Sequence, residues 1–154
     1  MGRMYVVTIA AAAKTVSEDY FEIAPADDKP CRIHALYISQ YSDAGDAAEE
    51  LLIVSLIRGY TASGSGGSAF TPLLLDKNDA AAGFAAEISN TTLATTGTPE
   101  TLHSDSWNVR IPYVWLPTPE MRPRVSQAES RLVVRVSAPA DSITVNATLY
   151  VEEL

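Results

Sequence analysis

Cysteine and histidine are scarce in this chain. Its 154 residues include one cysteine, Cys31, and two histidines, His34 and His103. A single cysteine cannot form a disulfide within the chain, which excludes a disulfide-stapled scaffold. A zinc site made only of histidine and cysteine would need all three residues, and their spacing does not support one. Two histidines leave little scope for histidine-based catalysis, so the composition favours a binding or structural protein over an enzyme.

Positive charge and long hydrophobic runs are also in short supply. The chain has 11 Lys and Arg residues against 19 Asp and Glu residues, for a formal net charge of −8. Because nucleic-acid affinity comes largely from clustered lysine and arginine, we expect no nucleic-acid partner. No run of 18 or more apolar residues occurs, so we expect no membrane partner. Hydrophobic residues make up 47% of the chain, which is typical of a globular protein rather than a disordered one.

Short β-branched and aromatic runs, separated by Gly, Pro, Asp, Asn and Ser, dominate the sequence and are typical of an all-β protein. The clearest strand is 143–151, where apolar and polar residues alternate. Other predicted strands are 4–9, 20–23, 31–40, 51–57, 107–115 and 131–136, with weaker candidates at 71–75 and 84–89. The long connection 90–106 disfavours a simple meander. We therefore predict that residues 1–154 form a single-domain, jelly-roll-like antiparallel β-sandwich.

Three local predictions concern the first half of the chain. Residues 51–57 are almost continuously apolar, which predicts burial on both faces of their strand. The polar segment 41–50 is predicted to join this strand to 31–40 as a hairpin. Residues 79–86 fit a short helical turn capped by Asp79, but 84–88 fit a strand equally well.

The N-terminal residues fit either a weak signal peptide or a first strand. The basic region is a single arginine, Arg3, and the apolar run that follows consists of strand formers rather than leucines. These features favour a first strand over residues 4–9.

Two motifs resemble ligand loops without completing them. The glycine-rich segment 59–68 lacks the Lys-Ser/Thr pair of a phosphate-binding loop, so it predicts a flexible surface loop. Asp76, Asn78 and Glu87 fall at calcium-loop positions 1, 3 and 12, but Ala81 replaces the required glycine. A turn capped by Asp and Asn side chains is the better account of 76–79, and a weak metal site near Asp76 is left open.

Catalytic candidates are few. Residues 101–106 contain His103, Ser104 and Asp105, which are triad residue types, but neighbours in sequence do not have a triad's geometry. A hydrolase that uses His103 is therefore the least favoured function. Cys31 is predicted to be a small buried residue rather than a reactive thiol. The adjacent acidic pairs 27–28, 49–50 and 152–153 are interpreted as solvated charges, because neighbours on a strand point to opposite faces.

Residues 111–124 contain four prolines, two aromatic residues, a leucine and a methionine. Proline cannot donate a backbone hydrogen bond, so this run is predicted to leave the sheet or to form its edge. A rigid extended segment can bind another chain with little entropy to lose, which makes a contact surface one interpretation. The other is a connection in which Trp115 and Leu116 cap the core.

Several stretches carry a resemblance to a known group of proteins. They are Phe70-Thr71-Pro72-Leu73-Leu74-Leu75-Asp76, Ser106-Trp107-Asn108-Val109-Arg110, Pro117-Thr118-Pro119-Glu120, Arg131-Leu132-Val133-Val134-Arg135-Val136, Ala138-Pro139-Ala140-Asp141-Ser142 and a last strand to Glu152-Glu153. Over residues 30–154 the chain resembles small virion structural proteins of tailed bacteriophages, of the capsid decoration (cement) kind. The resemblance implies a β-sandwich subunit, often trimeric, on the outside of the particle. It assigns no functional residue, and it offers a second interpretation of residues 1–30, an arm that reaches a neighbouring subunit.

We therefore expect a non-enzymatic virion structural protein that decorates the phage head, needs no cofactor and is assembled in the bacterial cytoplasm. Its expected partners are the major capsid protein and copies of itself, as a homotrimer. Such contacts need apolar patches rimmed by polar residues. The candidate interface residues are Tyr60, Phe70, Trp115 and Met121. The alternative is a receptor- or glycan-binding module of a phage fibre or tail, with the 60–70 loop as its site.

Overall fold

The computed structural model describes residues 2–43, 49–127 and 130–154, which form two antiparallel sheets packed face to face. Sheet A contains, in spatial order, β10 (Arg124–Val125), β3 (Cys31–Gln40), β12 (Ile143–Glu153), β1 (Arg3–Lys14) and β6 (Leu73–Leu74), with β9 (Tyr113–Trp115) also paired to β3. Sheet B contains β5 (Ser68–Phe70), β7 (Ala85–Asn90), β2 (Glu18–Ala24), β11 (Arg131–Val136), β4 (Leu51–Tyr60) and β8 (Gly97–Asn108). A short 3-10 helix covers Pro119–Met121.

Outside β5, β6 and β7, most successive strands lie in opposite sheets, but β4 and β8 share sheet B and β9 and β10 share sheet A. Apart from the additional strands β5, β6 and β7, sheet A has the order β1-β12-β3 followed by β9 and β10, and sheet B has the order β2-β11-β4-β8. Interleaving the first and last strands in this way is the topology of a jelly roll. The predicted jelly-roll-like antiparallel β-sandwich is confirmed.

The core lies between the sheets and draws on both of them. In β12 every second residue from Ile143 to Val151 is buried, as the alternating pattern predicted. Leu149 of sheet A and Phe21 of sheet B are both fully buried in the same apolar cluster. This burial is the main stabilising contribution to the fold, at roughly 25 cal/mol for each Å² of apolar surface removed from water.

The N-terminal residues are part of the sandwich. β1 pairs with β12 on one side and β6 on the other, and β2 lies between β11 and β7. The predicted strand at 4–9 is confirmed and extends to Arg3–Lys14. Residues 3–24 thus pair with strands of their own chain instead of reaching outward as an arm.

The predicted strand 107–115 is wrong, because the chain turns between the sheets there. Asn108 builds the turn: its side-chain Oδ1 accepts from the backbone N of Arg110 at 3.1 Å, and its carbonyl accepts from the backbone N of Ile111 at 3.0 Å. Ile111 is exposed at the turn instead of pointing into the core. The indole Nε1 of Trp107 donates to the carbonyl of Ile111 at 2.7 Å and holds the crossing in place.

Two connections also differ from expectation. Most of the predicted connection 90–106 belongs to β8, which is the edge strand of sheet B. An edge strand with solvent on both faces carries few apolar residues, so its sequence resembles a loop. The predicted hairpin through 41–50 is also wrong, since β3 and β4 lie in different sheets; residues 44–48 are outside the described part of the chain.

The first half of β4 is not buried on both faces. Leu51 and Ile53 are exposed on the outside of sheet B, whereas Ile57 and Tyr60, further along the strand, are buried. The helical alternative for 79–86 is also wrong, because no helix forms there and β7 begins at Ala85.

Loops 61–67 and 91–96 cover the outer face of sheet B around the second half of β4, where Ile57 and Tyr60 are buried. The backbone N of Gly64 donates to Glu22 Oε2 at 3.1 Å, and the backbone N of Ala94 donates to Asp19 Oδ2 at 2.9 Å. The two loops also bond to each other through Ser65 and Thr92. The predicted flexible loop is therefore held down on the sheet by buried carboxylates.

Candidate functional site

An apolar stripe crosses the outer face of sheet A. It consists of one residue from each of five adjacent strands: Val114 (β9), Tyr37 (β3), Tyr150 (β12), Val6 (β1) and Leu73 (β6). Val114, Tyr37 and Leu73 are exposed, and Tyr150 and Val6 are half-buried. We call these five residues the outer stripe.

The register of the sheet builds the outer stripe. Tyr37 lies directly opposite Val114, and Val6 lies opposite both Tyr150 and Leu73. The Tyr37 and Tyr150 rings, on neighbouring strands, meet edge to face with centroids 6.0 Å apart. Because side chains alternate across a strand, each stripe residue points away from the core that its sequence neighbours form. The stripe is thus a continuous apolar surface on a rigid sheet.

Two grooves flank the edge of sheet A. A groove of about 200 Å³ lies between Val114 and Thr148, beside the outer stripe. A second groove, of about 330 Å³, has Leu102, Trp115 and Met121 in its wall. Its remaining wall includes the basic residues Arg58, Arg122 and Arg124. Glu120 also lines this groove, so its wall combines apolar side chains with charges of both signs.

The four candidate interface residues have different environments. Met121 is 68% exposed at the second groove, whereas Phe70 is half-buried at the edge of sheet B. Tyr60 is 3% exposed beneath the loops that cover sheet B, and the guanidinium of Arg135 lies 5.3 Å from its ring centroid. Trp115 is 9% exposed and packs inward. In this chain Tyr60 and Trp115 therefore do not offer exposed rings, and the interface role of all four residues stays a prediction.

Residues 111–124 do form a sheet edge, as their prolines predicted. β9 and β10 both pair with β3, and the chain leaves the ladder between them. Trp115 caps the core, in agreement with one interpretation, but Leu116 is exposed. The same segment thus supplies core packing through one side chain and exposed apolar surface through its neighbour.

His103 lies against aromatic side chains. Its Nε2 is 3.2 Å from the hydroxyl of Tyr113, and its ring packs on Trp115 with centroids 5.4 Å apart. Burial, assisted by the negative charge of Asp105, raises the pKa of Tyr113 to about 12, so this phenol keeps its proton.

The neighbours of His103 point elsewhere. Ser104 Oγ contacts Ser55 Oγ at 3.2 Å, and Asp105 accepts from the backbone N of Ser106 at 2.7 Å. Adjacent residues of β8 therefore have different partners, and these contacts do not bring His103, Ser104 and Asp105 together as a triad.

Cys31 is buried at the start of β3. Burial, together with the negative charge of Glu153, raises the pKa of the thiol to about 12. The thiol is therefore protonated and unreactive near neutral pH, which confirms the prediction of a small buried residue.

The segment that resembles a calcium loop is a turn. Asp76 Oδ1 accepts from the backbone and side-chain nitrogens of Asn78 at 2.9 and 3.1 Å, and its carbonyl accepts from the backbone N of Asp79. Glu87, the residue at loop position 12, bonds instead to Ser63. The prediction of a capped turn is confirmed.

Three of the six residues in the acidic pairs are not solvated. Asp27, Asp28 and Glu49 are exposed as predicted, but Glu50, Glu152 and Glu153 are buried. Their burial depends on which segments fold over them, and the sequence pattern carries no signal for that.

Glu152 forms a polar cluster beside the outer stripe. Its Oε2 lies 2.8 Å from His34 Nε2 and 3.4 Å from Arg32 Nη1, and its Oε1 accepts from the backbone N of Gly2 at 3.2 Å. Burial alone would raise the pKa of Glu152. The hydrogen bond from His34 and the charges of His34 and Arg32 outweigh that effect, so the pKa lies below its usual value.

The Glu152→Gln variant should therefore be less stable than the wild type by about 1–2 kcal/mol at pH 7. Because folding lowers the pKa of Glu152, its contribution is present above the unfolded-state value of 4.5 and is lost as the pH falls through the lower folded value. Urea unfolding from pH 7 to pH 2 measures this difference.

The matched control is Glu100→Gln, which removes an exposed carboxylate paired with Arg58 at 2.7 Å. An exposed pair contributes little, so this variant should unfold like the wild type. A Glu152→Gln variant with wild-type stability at pH 7, or with a deficit that grows in acid, would contradict the role given to Glu152.

No helix in the described part of the chain is long and apolar enough to cross a membrane. No protein-family model, curated protein or solved structure matches the chain. The surface geometry of the chain itself therefore carries the functional argument.

Proposed function

We propose that this chain is a non-enzymatic structural protein of a tailed-phage virion, a decoration protein on the outside of the head. It binds the major capsid protein and copies of itself, and it contributes buried contact area instead of chemistry. The outer stripe is the observation that carries this proposal. It is an apolar surface that runs across five paired strands of sheet A.

The physical case for a protein partner depends on shape and composition. Exposed apolar surface that is continuous and rimmed by polar groups marks contact sites in soluble proteins. The Arg32–His34–Glu152 cluster forms a polar rim on one side of the outer stripe. The stripe belongs to paired strands, so its backbone is already ordered before a partner covers it.

The test is a Val114→Asp variant in a co-sedimentation assay with intact heads of the virus that encodes the chain. Val114 is 55% exposed on β9, so the aspartate is accommodated in the free protein. In the complex it would be buried without a partner, and we expect head binding to weaken about tenfold or more. Val16→Asp is the matched control, because Val16 is an exposed valine in the β1–β2 turn.

Light scattering on the same proteins is expected to show a trimer for the wild type. Wild-type protein that does not bind heads would overturn the proposal, and so would Val114→Asp protein that binds them as tightly as Val16→Asp. Binding to host cells or glycans in place of heads would identify the receptor-binding alternative.

A further inference from the structure

Three carboxylates from two connections meet at one end of the sandwich. Asp43 follows β3, Glu50 precedes β4, and Asp141 lies in the turn between β11 and β12. One oxygen from each carboxylate lies within 4.8 Å of the other two. Such a concentration of negative charge is unfavourable unless hydrogen-bond donors, a proton or a cation offset it.

Glu50 supplies an independent sign that something is bound there. The residue is only 6% exposed. Its Oε1 accepts from the backbone N of Ala140 at 2.7 Å and of Asp141 at 3.3 Å, which fixes the orientation of the carboxylate. Its Oε2 is buried and has no hydrogen-bond partner among the described residues. A buried carboxylate oxygen without a donor is costly, and a cation is the partner that would satisfy it.

We propose that Asp43, Glu50 and Asp141 bind one calcium ion. All three ligands are oxygens, which hard cations prefer, and no thiolate or imidazole belongs to the cluster. Calcium–oxygen distances are about 2.3–2.6 Å, so two ligands on opposite sides of the ion lie about 4.6–5.2 Å apart. Oxygens within 4.8 Å of one another can therefore share one ion. Water and backbone carbonyls would complete the six to eight ligands that calcium takes.

The ion would tie together segments that cross between the sheets. The β3–β4 connection and the β11–β12 turn both run between sheets A and B at this end. The β8–β9 crossing is bonded to both ends of the β3–β4 connection, because the backbone N of Val109 donates to the carbonyl of Glu50 at 3.2 Å and the carbonyl of Val109 accepts from Gln40 Nε2 at 3.1 Å. Calcium binding is thus coupled to the stability of the whole sandwich.

Calcium titration of chelator-treated protein tests the site, with calorimetry and thermal unfolding as readouts. At a free calcium concentration about 100 times the Kd, the Tm should rise by about 5–10 °C. Magnesium should give a smaller shift, since it demands tight octahedral geometry and gives up its water reluctantly. Neither readout depends on the proposed function of the chain.

Two variants each remove the charge of one proposed ligand, and a third variant is the matched control. Asp141→Asn and Asp43→Asn should each weaken calcium binding about tenfold or more, because calcium binds neutral amide oxygens less strongly than carboxylates. Asp141 is exposed, so its variant should fold normally. Asp76→Asn, in the exposed turn that resembles a calcium loop, should bind calcium like the wild type.

Three results would overturn the proposal. One is the absence of both a heat of binding and a Tm shift at about 10 mM calcium, well above the Kd of weak calcium modules. Another is wild-type affinity in both ligand variants. The third is an equal loss of affinity in Asp76→Asn, which would place the ion elsewhere.

Discussion

The Trp107→Ala variant is expected to lose about 3–5 kcal/mol of its free energy of unfolding. Trp107 is 2% exposed, and its ring belongs to the core between the sheets. Alanine would leave a cavity the size of an indole, which the surrounding strands can fill only in part. It would also remove the hydrogen bond from Nε1 to the carbonyl of Ile111 that holds the β8–β9 crossing.

Thermal and urea unfolding measure this loss, and the Tm should fall by about 6–20 °C. Trp107→Phe keeps most of the ring volume but loses the donor, so its cost should be smaller, about 1–2 kcal/mol. Ile111→Ala is the control at the same crossing, because that side chain is exposed and its carbonyl remains. If Trp107→Ala and Ile111→Ala lose the same amount, the indole does not anchor the crossing.

Replacing Asp19 by alanine is expected to cost about 3 kcal/mol. Asp19 is fully buried on β2 and accepts from Arg135 Nε at 2.6 Å, from Arg135 Nη2 at 3.0 Å and from the backbone N of Ala94 at 2.9 Å. Burial alone would lower the pKa of Arg135, but the hydrogen bond and charge of Asp19 outweigh it, and the net pKa is raised. The variant would therefore leave a charged guanidinium without its carboxylate.

Breaking a fully buried ion pair costs about 3–5 kcal/mol. The lower end applies here because the Arg135 side chain retains 22% exposure, and water can solvate part of the guanidinium. Asp27→Ala, at an exposed turn, is the matched control and should change stability by less than about 0.5 kcal/mol.

A double variant separates loss of the pair from loss of packing. Asp19→Leu combined with Arg135→Met should recover part of the stability, since apolar residues of similar volume can replace a buried ion pair. Urea unfolding measures all three proteins. An Asp19→Ala variant as stable as the Asp27→Ala control would show that the pair does not hold the 91–96 loop on sheet B.

The strands of the jelly roll differ in how well the sequence predicts them. β12 has one face toward the core over Ile143–Val151, so its apolar residues alternate and its position follows from the pattern. β8 lies at the edge of sheet B, and most of its residues are exposed to solvent. Its sequence therefore lacks the alternation of apolar and polar residues. The sequence pattern does not indicate the turn at Asn108, because Trp107, Val109 and Tyr113 fit one alternating strand although they belong to different segments.

The surface features are likewise predicted only in part by the sequence. Alternation in β12 predicts that Tyr150 points outward, but its contact with Tyr37 follows only from the pairing of β12 with β3. The carboxylates of Asp43 and Asp141 are almost a hundred positions apart in the chain. No local pattern relates them, because loops converge only after the sheets have packed.

By itself the sequence determined the all-β class, the jelly-roll-like sandwich and the alternation of most core strands. It could do so because burial of one strand face imposes a period of two on the residues. Only the tertiary structure decided that Tyr60 and Trp115 are buried, that five strands align one apolar stripe, and that Glu50 faces two other carboxylates. These features depend on strand register and on contacts between distant segments, which hydrophobic periodicity does not encode.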